Sequence, residues 1–301
     1  RRLVSLKRSL VRLALSLALL SGSAHAQDAG LRIAVESPRD GETVRNRVHL
    51  APVKGSASAS GDVGTAYDVM VVIDVSGSTR CASGVDVDGD GEFGVDPETE
   101  GFPPGSYPKG MCSTDPEDSI FAAELKAAWS LIAGLDMHRV RVGVLSFSGD
   151  MDETGNRLRS DQRDEELQSA LSSDPGAALA ALSRIAARGP HGATNFAAGI
   201  RLAIIELAGL TGAQSKPRSG TRRIVLFLTD GQPSFPIGLG TETDPGDIEA
   251  AITAARLAHT AGVRINVYAI GPAARTQPVA ATEIAKATRG TYTPVRNPGD
   301  I

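Results

Sequence analysis

The chain has 301 residues, of which 41% are hydrophobic and 22% are charged, and these values are ordinary for a globular protein. This length allows one large domain with additional segments. The net charge of −4 lacks the basic footprint of nucleic-acid-binding proteins, so we do not expect nucleic acid as a partner.

The first 26 residues have the layout of a secretory signal peptide. Basic residues precede the apolar stretch Leu13–Leu20, and Ala24-His25-Ala26 offers a small-x-small cleavage site. The apolar stretch is too short to cross a bilayer as a helix of the mature protein. We therefore expect an exported protein that is periplasmic, attached to the cell surface or secreted.

Residues 27–65 are predicted to form a β-rich segment and a linker. Apolar and polar residues alternate in Leu31–Val35, Pro38–Gly41 has the composition of a turn, and Val48–Leu50 is a second apolar run. This pattern is typical of a β-hairpin and resembles the opening strands of bacterial immunoglobulin-like modules. The small, polar residues Gly55–Gly64 are interpreted as linker. Two strands cannot fold alone, so they either pack on the next domain or begin a β-sandwich.

Strands and helices alternate from Ala66 onward, which predicts an α/β fold: a doubly wound, mostly parallel sheet with helices on both faces. The predicted strands are 68–74, 140–147, 167–171 at an edge, 223–229, 263–270 and 290–295. The predicted helices are 119–135, 175–187, 196–207, 247–261 and 279–288. In the first helix, the spacing of Phe121, Leu125, Trp129 and Ile132 predicts that all four face the core.

An insertion at residues 80–118 separates the first strand from the first helix. It contains the only two cysteines of the chain, Cys81 and Cys112. In an exported protein, two cysteines that flank one loop are expected to form a disulfide.

The insertion also contains a run of acidic residues that alternate with Val and Gly: Asp86, Asp88, Asp90 and Glu92. The run resembles calcium loops of the EF-hand and thrombospondin type 3 kinds, in which alternate carboxylates surround Ca²⁺. Pro97 stands where an EF-hand has a bidentate acid. We therefore predict weak Ca²⁺ binding, with a solvated acidic loop as the alternative.

Polar residues follow two apolar runs that are typical of buried parallel strands. The first run ends in Asp74-Val-Ser76-Gly-Ser78, and the later one in Thr229-Asp230-Gly231. Between them, a loop before a predicted helix reads Gly192-Ala-Thr194-Asn. Open α/β sheets bind ligands beyond the carboxyl ends of their strands. Because all the donors are oxygens, the predicted ligand is a hard cation, Mg²⁺ or Mn²⁺.

These three segments resemble the metal-ion-dependent adhesion site of von Willebrand factor type A domains, in the family's order, within residues 67–301. The resemblance implies that Ser76, Ser78 and Thr194 touch the cation through their hydroxyls. It implies that Asp74 and Asp230 act mostly through water. Type A domains usually end in a further helix, so we expect sequence beyond Ile301, and membrane association stays open.

The resemblance also implies a function, namely a binding or adhesion module without enzymatic activity. A carboxylate from a protein or surface ligand would complete the coordination of the cation. One alternative is a structural or assembly subunit of an envelope complex, whose metal only stabilises the fold. The other is a metal-dependent hydrolase, which is disfavoured because no general base accompanies a nucleophile in the sequence.

Overall fold

The computed structural model describes residues 30–37, 54–60, 65–150, 163–240 and 242–295, the first two ranges through their backbone alone. The chain divides into two compact units between Gly64 and Thr65. The predicted signal peptide, the turn at Pro38–Gly41 and the apolar run Val48–Leu50 lie outside the described ranges.

The first unit contains an antiparallel pair, β1 (Gly30–Ser37) and β2 (Lys54–Ser60). The prediction of a linker was therefore wrong for residues 55–60, which lie in β2. Composition suggested a linker because these residues are small. However, Ser and Ala alternate there with the period of two that a strand requires, and Ala57 pairs with Ile33 in the ladder.

The second unit is built on a six-stranded sheet. Its strands are β3 (Tyr67–Asp74), β4 (Val140–Phe147), β5 (Glu165–Ser172), β6 (Arg222–Thr229), β7 (Val263–Ile270) and β8 (Tyr292–Val295). The spatial order is β5-β4-β3-β6-β7-β8, and every pairing is parallel except that of the edge strand β5 with β4. This topology confirms the predicted doubly wound α/β fold.

Helices cover both faces of the sheet. They are α1 (Ile120–Ala133), α2 (Pro175–Arg188), α3 (Phe196–Ala208), α4 (Pro245–Thr260), α5 (Pro272–Thr276) and α6 (Val279–Ala287). Every predicted strand and helix of this unit is present with ends shifted by at most two residues, whereas the five-residue α5 is too short to show a periodic pattern. Within the described part of the chain, no helix combines the length and hydrophobicity needed to cross a membrane.

The core consists of two layers, one on each face of the sheet. On β3, Val71 and Ile73 face the layer with α1 and α2, while Met70 and Val72 face the layer with α3, α4 and α6. The second layer contains three mutually packed rings, with centroids 4.9–5.7 Å apart: Phe147, Phe196 and Phe227. Because Phe147 ends β4 and Phe196 begins α3, this packing fixes the start of α3 near the carboxyl ends of the strands.

The prediction that Trp129 faces the core was wrong, because its side chain is 55% exposed. Phe121 and Ile132 are buried as predicted, but the centre of the buried face is formed by Ala123 and Ala127. Their small side chains let α1 approach the sheet closely. Trp129 follows Ala127 by two residues, which places it about 200° further around the helix, away from the sheet.

Candidate metal site

The carboxyl ends of β3 and β6 carry two of the predicted ligands. These strands are parallel neighbours, and Ile73 pairs with Leu228, so their ends are level. Asp74 is the last residue of β3, and Asp230 follows β6 directly. Both side chains are buried, with 0% and 5% exposure. The structure thus brings the two carboxyl groups to one edge of the sheet, as the sequence predicted.

The side chain of Asp74 organises the loop that follows β3. Its Oδ1 accepts a hydrogen bond from the backbone N–H of Ser76 (2.9 Å), and its Oδ2 accepts one from the hydroxyl of Thr229 (2.9 Å). The hydroxyl oxygens of Ser76 and Ser78 lie 3.2 Å apart. The Ser78 hydroxyl also lies close enough to the Asp230 carboxylate to lower its pKa. Two hydroxyls and two carboxyl groups therefore form one polar cluster.

The loop that carries Thr194 is held from two sides. On one side, the N–H of Gly77 donates to the carbonyl of Gly192 (2.8 Å). On the other, the N–H of Thr194 donates to the Ser234 hydroxyl (3.3 Å), and the Ser234 N–H donates to the Thr194 carbonyl (3.0 Å). Asn195 then caps α3, since its side chain accepts from the N–H of Ala198 (3.1 Å). These contacts place Thr194 between the loops after β3 and β6.

A cleft of about 630 Å³ opens above this cluster, and its lining includes Ser78, Thr194 and Asp230. Asp74 and Ser76 are fully buried at the same edge of the sheet. The five predicted residues therefore lie together, three of them facing the cleft.

Burial shapes the electrostatics of the two aspartates. Burial and, to a smaller extent, the neighbouring Asp230 carboxylate together raise the pKa of Asp74 to about 8, against the hydrogen bonds from Ser76 and Thr229. Burial likewise raises the pKa of Asp230 to about 6, although the nearby Ser78 hydroxyl opposes this. Two buried carboxylates in contact with hydroxyls are costly to ionise without a nearby positive charge.

The other end of β3 shows how the chain stabilises a buried carboxylate with its own cations. Asp68 is fully buried, but Arg141 approaches it to 2.8 Å and Arg218 to 3.0 Å. These arginines outweigh the effect of burial and lower the pKa of Asp68. Within the described residues, no such ion pair reaches Asp74 or Asp230. An all-oxygen donor set without a protein cation fits a hard divalent cation.

One residue of this region escaped the sequence analysis. Glu124 lies on the buried face of α1 and is 0% exposed. Its carboxyl group interacts electrostatically with Asp74 and Asp230, and burial together with these two neighbours raises its pKa well above its usual value. A signal was present, because Glu124 lies four residues after Ile120 on the same helix face, where a charged residue is unusual.

The insertion is attached to the start of α1. Cys81 and Cys112 form the predicted disulfide, with their Cα atoms 4.5 Å apart. Beside it, the N–H of Ala82 donates to the carbonyl of Cys112 (2.8 Å), and the N–H of Ile120 donates to the carbonyl of Cys81 (2.8 Å). The base of the insertion is therefore tied to the helix that packs beneath the cleft.

The acidic run adopts a compact loop in which the carboxylate of Asp86 accepts the N–H groups of Gly89 (2.6 Å) and Gly91 (3.0 Å). Oxygens of Asp86, Asp88 and Asp118 lie within 4.8 Å of one another. Sequence reasoning missed Asp118, which is distant along the chain.

Two of the predicted calcium ligands, Asp90 and Glu92, are not in this group of acids. The buried Asp118 joins it because its carboxylate accepts the N–H groups of Val87 and Gly94 (2.8 Å), which folds the loop back onto it.

Residues 112–299, more than half of the chain, match the von Willebrand factor type A domain model. The chain belongs to the von Willebrand factor type A family. The matched region of this type A domain begins within the insertion, so Asp74, Ser76 and Ser78 precede it. No curated protein sequence matches the chain.

Solved structures share the type A fold with this chain at low sequence identity. The PilB minor pilin from Streptococcus sanguinis is 13% identical with a TM-score of 0.50, covering 90% of this chain and 74% of the pilin. An aerotolerance-related membrane protein from Bacteroides fragilis is 18% identical with a TM-score of 0.47, covering 79% and 94%. The manganese-loaded TRAP protein of Plasmodium vivax is 15% identical with a TM-score of 0.40, covering 68% and 57%. Such identities show a likeness of fold alone.

Proposed function

We propose that this protein is an exported binding module whose type A domain engages a protein or surface ligand through Mg²⁺ or Mn²⁺. The proposed ligands of the cation are Asp74, Ser76, Ser78, Thr194 and Asp230. The proposal rests on one observation. Two buried aspartates lie at the ends of adjacent strands beside clustered hydroxyls, and no Lys or Arg among the described residues forms an ion pair with either of them. The proposal assigns no catalytic step to the domain.

In the proposed site, hydroxyls contact the cation directly and carboxylates contact it through water. This arrangement explains how the site would bind a partner. Ser76, Ser78 and Thr194 would be direct ligands and are neutral, while Asp74 and Asp230 would hold water around the cation. Neutral ligands leave the cation's charge largely uncompensated on the side of the cleft. When bound, the cation supplies an electrophilic position there, and a carboxylate from Asp or Glu of a partner is the chemistry that satisfies it.

The rim of the cleft favours a protein as the partner. Ile237 and Leu239 are 62% and 70% exposed, on the loop whose Gly240 lines the cleft. The loop is held in place because the buried carboxylate of Asp247 accepts the N–H groups of Ile237 (2.6 Å) and Gly238 (3.1 Å). These two exposed apolar side chains beside the polar cleft would add contact area for a protein partner.

Water proton relaxation with Mn²⁺ tests the proposal directly. We expect Mn²⁺ bound to the protein to enhance relaxation of the solvent, because an open coordination position exchanges water. A short peptide with one Glu should reduce this enhancement, whereas the same peptide with Gln should not. If Mn²⁺ raises the Tm but neither peptide changes the relaxation, the metal serves stability only and the structural-subunit alternative holds.

A further inference from the structure

Glu124 differs from three other buried acids of the type A domain, Glu206, Asp118 and Asp247. Its two carboxyl oxygens are buried, and neither has a hydrogen-bond partner within the described residues. By contrast, the carboxylate of Glu206 accepts the N–H groups of Gln214 (3.0 Å) and Ser215 (2.7 Å). Asp118 and Asp247 each accept two backbone N–H groups in the same way.

An unpartnered buried carboxyl group is unfavourable, and folded proteins retain few of them. Burial is the main cause that raises the pKa of Glu124, and the charges that add to this effect are Asp74 and Asp230. These are the two acids of the proposed metal site. The backbone N–H of Asp74 faces this carboxyl group and opposes the shift, but it forms no hydrogen bond of normal geometry with either oxygen. Glu124 therefore lies beside the metal cluster, in surroundings that disfavour its charge.

We infer that Glu124 is a positioning residue of the metal site, whose carboxyl group obtains its missing hydrogen-bond partners from the waters of the hydrated cation. Mg²⁺ bound to proteins usually keeps several waters, and each water has hydrogens to donate. Glu124 would hold such a water together with Asp74 and Asp230. This inference rests on the proposed function, because it requires that the site binds a cation.

Two substitutions separate this role from a merely structural one. Glu124→Leu should raise the Tm of the metal-free protein, because an unpaired buried carboxyl group is removed. The same variant should weaken Mg²⁺ binding by about 10-fold to 100-fold, the usual effect of losing a partner that orients metal ligands. Glu124→Gln, which keeps a carbonyl acceptor, should recover part of the affinity. Calorimetric titration with Mg²⁺ and thermal melting in EDTA measure both quantities on the full chain.

Glu206→Gln is the matched control, since Glu206 is equally buried but bonds only to the loop after α3. It should lower the Tm and leave Mg²⁺ affinity unchanged. Equal Mg²⁺ affinity in the parent, Glu124→Gln and Glu124→Leu would overturn the inference while leaving the proposed function intact. If the parent itself binds no Mg²⁺, both fail. If Glu124→Leu does not fold, the nearly isosteric Glu124→Gln is compared with the parent instead. Equal Mg²⁺ affinity of these two proteins would then overturn the inference.

Discussion

Thr194 is the proposed ligand that depends most on the fold, because neighbours distant along the chain hold it in place. Its backbone exchanges hydrogen bonds with Ser234, forty residues downstream. Asp74 is tied in a similar way to Thr229. At the scale of single residues, the cleft therefore depends on pairs of side chains and backbone groups from different loops. A substitution that removes one side-chain oxygen but keeps the shape of the side chain can therefore test a proposed metal ligand without breaking the hydrogen bonds that hold the loops.

Thr194→Val should weaken Mg²⁺ binding by at least tenfold, because Val preserves the shape of the side chain but has no hydroxyl. Thr194→Ser, which retains the hydroxyl, should bind Mg²⁺ within a few-fold of the parent. Titration calorimetry measures both affinities, and circular dichroism checks that each variant is folded. Equal affinity in the Val variant would remove Thr194 from the set of ligands.

Among the secondary-structure elements, α1 is joined to the insertion that precedes it. The disulfide joins the two ends of the insertion, and Asp118, just before α1, holds its acidic loop. A cross-link that spans 31 residues contributes roughly 3–4 kcal/mol of stability in the chain-entropy model. Calcium binding by the acidic loop remains a prediction, and the structure changes which residues should be tested.

Ca²⁺ should protect residues 82–111 from limited proteolysis at a fixed Mg²⁺ concentration. We expect a Kd of about 10⁻⁴–10⁻³ M, as in extracellular calcium modules. Protection should be lost in Asp86→Asn and in Asp88→Asn, because both residues belong to the group with Asp118.

Asp90→Asn is the internal control for this experiment, since Asp90 lies outside that group. It should retain the protection by Ca²⁺. Loss of protection in Asp90→Asn but not in Asp86→Asn would favour the ligand set predicted from the sequence alone. Equal cleavage of the parent with and without Ca²⁺ would leave a solvated acidic loop.

Across the whole type A domain, the two edges of the mostly parallel sheet differ in electrostatic character along its central strand β3. Arginines neutralise Asp68 where β3 begins, and uncompensated acids collect where it ends. Uncompensated buried acids make the stability of the domain depend on pH and on the cation.

Without metal, the free energy of unfolding should fall as the pH rises from about 6.5 to 8.5, the interval that contains the folded-state pKa of Asp74. The reason is that the folded-state pKa of Asp74, about 8, exceeds its unfolded value, so its stabilising contribution is complete only at low pH. Saturating Mg²⁺ should reverse this slope, because protons compete with the metal for the carboxylates. Urea unfolding at several pH values, in EDTA and in Mg²⁺, measures both slopes. A slope that is the same in Mg²⁺ and EDTA would contradict the prediction.

The sequence alone was enough to predict the α/β fold, the strands of the type A domain to within two residues, and the disulfide. Apolar runs such as Val69–Ile73 are local signals, and parallel strands place their polar ends at one edge of the sheet. The additional acids beside these predicted sites became visible only in the folded chain. Asp118 joins Asp86, and Glu124 lies beside Asp74, through chain reversals that no local pattern encodes. The exposure of Trp129 was likewise decided by packing, because small alanines set which face of α1 approaches the sheet.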